Sequence, residues 1–287
     1  AVSRVLGRGM AALHDRMDGV EALVARNLEM LVIARALQRR MGGRPRLVYE
    51  ILDLHRMLTA PGPAGQAMRL LQARLGRSVD LAITSSPAYV TQHLAAMPFA
   101  DRIILVENKV LTEGPRPAYP PPAAPAPPFR IGWFGALRCQ RSFDLLSALA
   151  ARLAGRVEVI LRGRPSAAVF PDFAGMVARA PHLRYAGPYT AEDLPSHYVD
   201  VHFSWCIDYY EEGHNSAWLL PNRLYESAAH LAVPIALAEV ETGRFLRARD
   251  LGLVVDRTNL DSLVALFAAM TDERHSHLRR ALAEAPP

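Results

Sequence analysis

The chain has 287 residues, 51% of them hydrophobic, with 33 Lys+Arg against 28 Asp+Glu for a formal charge of +5. That composition excludes a disordered or fibrous protein, and at roughly 100 to 200 residues per domain the length suggests two domains, each able to bury a core without disulfides or a structural metal. Lys109 is the only lysine, so the positive charge reflects arginine usage and does not by itself point to nucleic acid.

A helical pattern opens the chain at Ser3 to Met17, close enough to Ala1 to suggest that part of an N-terminal domain lies outside this sequence. Strand patterns follow at Val20 to Ala25, Leu47 to Leu52, Val79 to Thr84 and Ile103 to Val106, separated by helical patterns at Asn27 to Met41, Gly65 to Gly76 and Pro87 to Ala96. Gly42-Gly43 stops the first of these helices, and Ser86-Pro87 is an N-cap and first-turn pair for the third. The run PRPAYPPPAAPAPP, residues 115–128, can hold neither ladder nor helix and reads as an extended connector. Beyond it strands are expected at Arg130 to Phe134, Val157 to Leu161, Leu183 to Ala186, Val199 to Ser204, Pro234 to Leu237 and Gly252 to Val255. Helices are expected at Arg141 to Leu153, Ala191 to Tyr198, Pro221 to Leu231, Gly243 to Ala248 and Leu260 to Met270. Continuous apolar strands alternating with helices imply parallel sheets covered on both faces, hence two doubly wound α/β domains, 1–114 and 129–287, joined by the Pro-rich linker.

Open α/β sheets bind ligands beyond the carboxyl ends of their strands. In the first half those ends carry Arg26 and Asn27, then Asp53, His55 and Arg56, then Ser85 and Ser86. The set offers acid, base, cation and hydroxyl groups on one rim. Asn27, Ser85 and Ser86 equally suit helix caps, and Asp53 with His55 a plain ion pair. In the second half the first strand leads through Gly135 to Arg138 and Arg141 at a helix start, and the next ends in Arg162-Gly163-Arg164. Guanidinium forks and helix N–H groups suit a diphosphate, although a solvated basic turn would have the same composition.

The stretch DYYEEGHNSAWLLPNRLYESAAHLAVPIA, residues 208–236, is the most informative. A polar loop with Glu211, Glu212, Gly213, Asn215 and Ser216 precedes Pro221, a residue suited to a helix start, and Glu226 lies at i+4 from Asn222 on the same helical face. Asn and Ser side chains with free N–H groups suit a phosphate, and a carboxylate one turn deeper suits a ribose diol. The plainer alternative is an amphipathic cover helix.

NSAWLLPNRLYESAAHLAVPIAL, residues 215–237, resembles the donor-binding signature of GT-B-fold glycosyltransferases related to the retaining family-4 group, and WFGALRCQRSFDLL resembles their phosphate-binding strand and turn. RNLEMLVIARAL, LVYEILDLHR, ITSSPAYV and VENKV are similar to bacterial exopolysaccharide glycosyltransferases of the succinoglycan-assembly type. The resemblance implies two Rossmann-like domains facing a cleft. It implies transfer of a sugar from a nucleoside diphosphate sugar, as co-substrate rather than bound cofactor, to a glycan or lipid-linked oligosaccharide. Glu226 would then take the ribose hydroxyls, as the second glutamate of the E-x7-E pattern. Arg138 and Arg141 would neutralise the diphosphate, with Arg162, Asn215, Ser216, Asn222 and Arg223 completing the donor site and Glu212 or Glu211 meeting sugar hydroxyls. Asp53 and His55 would handle the acceptor proton, with Arg26, Asn27, Arg56, Ser85 and Ser86 on the acceptor side. Trp218 stands where the first glutamate of that pattern belongs, and Ala232 where a glycine is usual in the helix-to-strand turn.

Cys139 and Cys206 show no zinc or redox spacing, there is no Asp-x-Asp, and the histidines form no ligand pattern, so no metal is expected. No run approaches the roughly 20 apolar residues of a membrane span, and no signal-peptide pattern opens the chain. A cytoplasmic protein is expected, with Arg4, Arg8, His14 and Arg16 available for contact with anionic lipid at the inner face of the plasma membrane. A missing G-x-G-x-x-G argues against a dinucleotide oxidoreductase. A non-catalytic nucleotide-sugar binder and a GT-B-fold epimerase remain the alternatives.

Overall fold

The structure, a computed structural model, describes residues 9–110, 127–256 and 258–285. Most of the Pro-rich 115–128 run and the first part of the Ser3 to Met17 helix, with Arg4 and Arg8, lie outside the described residues; a helix at Met10–His14 is the described part of the latter. The chain forms two compact units. One comprises Ala1–Glu107 together with Gly213–Leu219, the other Asn108–Glu212 and the residues from Leu220 onward.

The first unit holds a parallel sheet of β1 (Ala22–Arg26), β2 (Arg46–Ile51), β3 (Leu81–Thr84) and β4 (Ile103–Leu105), in that spatial order. A consecutive order with right-handed crossovers lays successive helices on the same face. Leu28 and Leu31 of helix Asn27–Arg40, Met68 and Leu75 of helix Pro63–Gly76 and Tyr89 of helix Pro87–Gln92 accordingly pack with Leu47, Tyr49 and Ile51 in one core. The other face, expected to be covered too, exposes 65% of Val24. Val24, Val48 and Ile83 make the strands apolar on both sides, which hid the alternation from a reading of the sequence. The local stops behave as anticipated. Ser86 Oγ accepts from the Ala88 N–H, and Gly42 and Gly43, both at positive φ, end the Asn27–Arg40 helix, the Gly43 N–H reaching back to the Gln38 carbonyl at 2.8 Å.

The second unit holds a six-stranded parallel sheet of β5 (Phe129–Leu137), β6 (Val157–Pro165), β7 (Leu183–Tyr185), β8 (Phe203–Trp205), β9 (Val233–Leu237) and β10 (Leu253–Val255). The spatial order is β7-β6-β5-β8-β9-β10. The chain therefore winds outward from β5 in one direction and from β8 in the other. Phe143, Leu146 and Leu149 of helix Gln140–Arg152 join Leu263, Phe267 and Leu282 on one face. Leu194 and Tyr198 of helix Leu194–Val199 cover the other beside Phe134 and Ile160, as Leu224 and Tyr225 do beside Cys206 and Ala236. Helices Phe173–Ala178 and Asp272–Glu284 were not anticipated from the sequence.

β5 and β6 run three to four residues further than their apolar cores suggested, pairing Gly135 with Gly163 and Leu137 with Pro165. Gly135 is therefore not a turn, and Arg162 lies within β6 rather than beyond its end. A methyl group on Gly163, whose φ is +126°, would stand 1.8 Å from the Gly135 carbonyl oxygen, so only glycine permits this approach. The residue at positive φ before β9 is Leu231, while Ala232 is fully buried.

Candidate functional site

β5 and β8 are neighbours whose crossovers leave in opposite directions, which makes their carboxyl ends the switch point of the second sheet, where such sheets bind ligands. Arg138 and Arg141 follow β5, and residues 206–212 follow β8. The two segments meet through their side chains. The Arg138 guanidinium lies 4.3 Å from the Tyr210 ring centre and that of Arg141 4.0 Å from Tyr209. Arg141 Nη1 also donates to both oxygens of Glu212 at 2.8 Å. Tyr209 is tied in turn to Thr258 through their hydroxyls. Arg138, Arg141 and Glu212 are exposed, so the rings hold two cations in place without removing them from solvent.

Helix Asn222–Ala229 meets the same loop. It starts one residue later than expected, with Pro221 as its N-cap residue, and Asn222 is exposed at its first position. Arg223 is half-buried and donates through Nη2 to the Ile207 carbonyl at 3.3 Å. Glu226, one turn on, is half-buried and accepts from the Tyr198 hydroxyl at 3.1 Å. Burial raises the Glu226 carboxyl above its usual range, while the Tyr198 hydrogen bond and the charge of Arg223 pull it down. Arg138, Arg141, Glu212 and Arg223 thus share one scaffold, the loop after β8, and Glu226 lies one turn beyond Arg223 on the helix that meets it. Tyr189, whose hydroxyl is pushed up to about 12 first by burial and then by the Glu226 charge, stands nearby.

Three further residues expected in this set have other partners in the structure. Arg162, on the face covered by Leu194 and Tyr198, donates to the Ala186 carbonyl at 2.9 Å; burial and Arg184 lower its pKa. Asn215 and Ser216 are buried in the first unit. Asn215 Oδ1 accepts from the Leu54 N–H at 3.2 Å and from the Tyr89 hydroxyl at 2.6 Å, and its Nδ2 donates to Asp53 at 3.1 Å. Ser86 donates to the Trp218 carbonyl, and Trp218 and Leu219 pack against the first unit's core. The residue found in place of a first glutamate is thus a core anchor. Loop composition could not reveal this, because polar side chains that grip a neighbouring backbone and those that grip a ligand are of the same kinds.

On the first unit's rim, Arg26 pairs with Glu50 at 2.6 Å, each the register partner of the other in β1 and β2. Asn27 starts its helix at φ +63°, with Oδ1 buried and without a hydrogen bond. Ser85 donates to the Leu52 carbonyl at 3.2 Å, and Arg56 is exposed at the start of helix Arg56–Thr59. Asp53 is exposed beyond its bond to Asn215. His55 caps the Arg56–Thr59 helix, its Nδ1 accepting from the Met57 N–H at 3.2 Å. In the neutral ring its proton therefore sits on Nε2, and the Nδ1 lone pair is engaged by the cap.

His214, not singled out from the sequence, has the opposite arrangement. Thr59 Oγ1 lies 3.0 Å from the Arg56 carbonyl and 2.8 Å from His214 Nδ1; with its one proton on the carbonyl, it accepts from Nδ1–H. That leaves the Nε2 lone pair of His214 available.

Among the described residues no group of three or more His, Cys, Asp or Glu side chains is placed to hold a metal ion, and no helix is long and apolar enough to cross a membrane. No family model matches the chain. It is 43% identical over 260 residues to the succinoglycan biosynthesis protein ExoL of Rhizobium meliloti (strain 1021), a match covering 88% of this chain and 64% of that protein. The chain thus spans somewhat less than two thirds of the length of that relative. Among solved structures it is similar to Anabaena Alr3699/HepE in complex with UDP, with a TM-score of 0.72 at 14% identity over 96% of this chain and 76% of the other. The sucrose-phosphate synthase of Thermosynechococcus elongatus gives a TM-score of 0.72 at 14% identity, over 98% and 74% respectively. These likenesses establish the fold of this chain as GT-B, with two parallel-sheet α/β units.

Proposed function

We propose that the chain is the sugar-transferring part of a glycosyltransferase of exopolysaccharide synthesis, using a nucleoside diphosphate sugar as donor. The observation that carries this reading is the meeting of Arg138, Arg141 and Arg223 with the loop that follows β8 at the switch point, with Glu226 one turn beyond Arg223 on the same helix. The likeness to a succinoglycan biosynthesis protein and to a protein solved with UDP and with UDP-glucose supports it.

In this reading the ribose hydroxyls donate to Glu226, and the diphosphate lies against Arg138 and Arg141 near the exposed start of the Asn222–Ala229 helix, with Asn222 as a further donor. Glu212, now the anion held by Arg141, yields that guanidinium to the diphosphate and turns to the sugar hydroxyls. Transfer forms a bond from the acceptor oxygen to the anomeric carbon and breaks the bond from that carbon to the diphosphate oxygen, whose electron pair leaves with the nucleotide. Cations fixed in advance stabilise this departing charge without reorganisation. The acceptor hydroxyl belongs to a glycan or a lipid-linked oligosaccharide. On the first unit's rim Asp53 and the free Nε2 of His214 are the groups able to accept its proton, and His214 replaces His55 in that role.

Thermal unfolding with a panel of nucleoside diphosphates and their sugars tests the donor site. A ligand at 100 times its dissociation constant adds about 2.7 kcal/mol to the native state. One nucleotide should raise the midpoint of the wild-type chain and not that of Glu226→Ala, and none doing so would refute the reading. Release of free nucleotide coupled to labelling of an acceptor fraction separates transfer from non-catalytic binding and from epimerisation.

A further inference from the structure

Glu226 lies on helix Asn222–Ala229, and among the described residues its one hydrogen-bond donor is the hydroxyl of Tyr198, at 3.1 Å. The Tyr198 ring is 1% exposed and is gripped on two sides. Phe134 of β5 lies 4.9 Å away at 50°, and His230, four residues beyond Glu226, stacks at 5.7 Å and 16°. The hydroxyl therefore sits at the end of a rigid lever set by one strand and two helices, and it meets the flexible end of a glutamate. A glutamate carries three side-chain rotors, so a fixed donor on one oxygen selects the rotamer in which the other oxygen is presented.

We propose that Tyr198 is the positioning residue of the donor site: by holding Oε2 of Glu226 it aims Oε1 at the ribose diol and so gives the site its preference for ribonucleotides. This rests on the donor reading above. Tyr198 does not touch the donor; it acts through Glu226.

The charge balance around Glu226 supplies a readout that core packing alone would not. Facing it are Arg223 on its own helix, Tyr198 on helix Leu194–Val199, Tyr189 in the loop after β7 and Cys206 after β8, with His230 behind Tyr198. Only the Tyr198 hydrogen bond and Arg223 favour the ionised carboxylate; burial opposes it. Two ribose hydroxyls donate to an ionised carboxylate, so nucleotide affinity should fall as pH drops through the Glu226 titration. Removing the Tyr198 hydroxyl raises that titration and moves the fall to higher pH.

The experiment is calorimetric titration of UDP and 2′,3′-dideoxy-UDP from pH 5.5 to 8.5 into the wild-type chain, Tyr198→Phe and His230→Leu. Tyr198→Phe should weaken UDP roughly 5- to 10-fold near neutral pH, in line with loss of a hydrogen bond to a charged group, and dideoxy-UDP less than about 2-fold. Its UDP affinity should also begin to fall at a higher pH than that of the wild type. His230→Leu keeps the hydroxyl but loosens the lever and should lose part of the preference, which keeps the idea testable if Tyr198→Phe fails to fold. Equal loss of both nucleotides, or an unchanged preference and pH profile in both variants, would overturn the assignment. A wild-type chain that does not bind UDP, or binds it no better than dideoxy-UDP, would remove the donor reading itself, a separate outcome.

Discussion

His275 is 1% exposed, and its Nε2 donates to the His202 carbonyl at 3.2 Å, which leaves the lone pair on a buried Nδ1 without a hydrogen bond. Burial against Phe129 and Phe203, with His202 and Arg279 adding like charge, lowers its pKa to about 4. The unfolded chain holds the proton at about 6.5, so between these values it binds more protons than the native state. The contribution of this group is fully present above pH ~6.5 and is lost as pH falls toward 4, up to about 3 kcal/mol in all. Urea unfolding as a function of pH should show that slope in the wild-type chain and a shallower one in His275→Phe; equal slopes would contradict the burial argument. Other placements at this scale were readable from residue type and position. Arg138, Arg141, Arg223 and Glu226 lie where strand ends and a helix start were expected, and their chemistry follows from their charge. His214 was not readable, because its usefulness depends on which nitrogen holds the proton, and its Nδ1 partner is a threonine 155 positions away.

At the scale of elements the segment Gly213–Leu219 is the main departure from what the sequence suggested. Its local composition of Gly, Asn and Ser marked a phosphate loop, whereas its role is set by partners more than a hundred residues distant: Leu54, Tyr89, Asp53 and Ser86. Asn215 satisfies three of these groups at once and is 6% exposed. Asn215→Ala takes its acceptor from the buried Leu54 N–H and should destabilise the chain by about 1–3 kcal/mol, the cost of one unsatisfied buried group. UDP affinity should stay within about 2-fold of wild type, as measured by urea unfolding and titration in parallel. A loss of UDP binding at unchanged stability would return Asn215 to the donor site. The strand extensions also escaped the sequence reading. Glycines and arginines in Gly135-Ala136 and Arg162-Gly163-Arg164 look like turn residues, yet the ladder continues through them because two glycine backbones approach where no side chain fits.

For the molecule as a whole, the alternation of strands and helices was enough to expect two parallel-sheet α/β units, since each crossover pattern admits only one handedness and few orders. The order β7-β6-β5-β8-β9-β10 was not deducible from periodicity, which says that a strand exists but not which neighbour it pairs with. It is that order that turns scattered charged residues into a candidate site, by bringing the end of β5 beside the end of β8. The most direct test of the site's location is hydrogen exchange of the chain with and without saturating UDP. Slowed exchange is predicted in residues 137–141, 206–212 and 222–226, with β1 to β4 unchanged. Unaltered exchange in all three segments, or protection confined to the first unit, would contradict a donor site at the switch point of the second sheet.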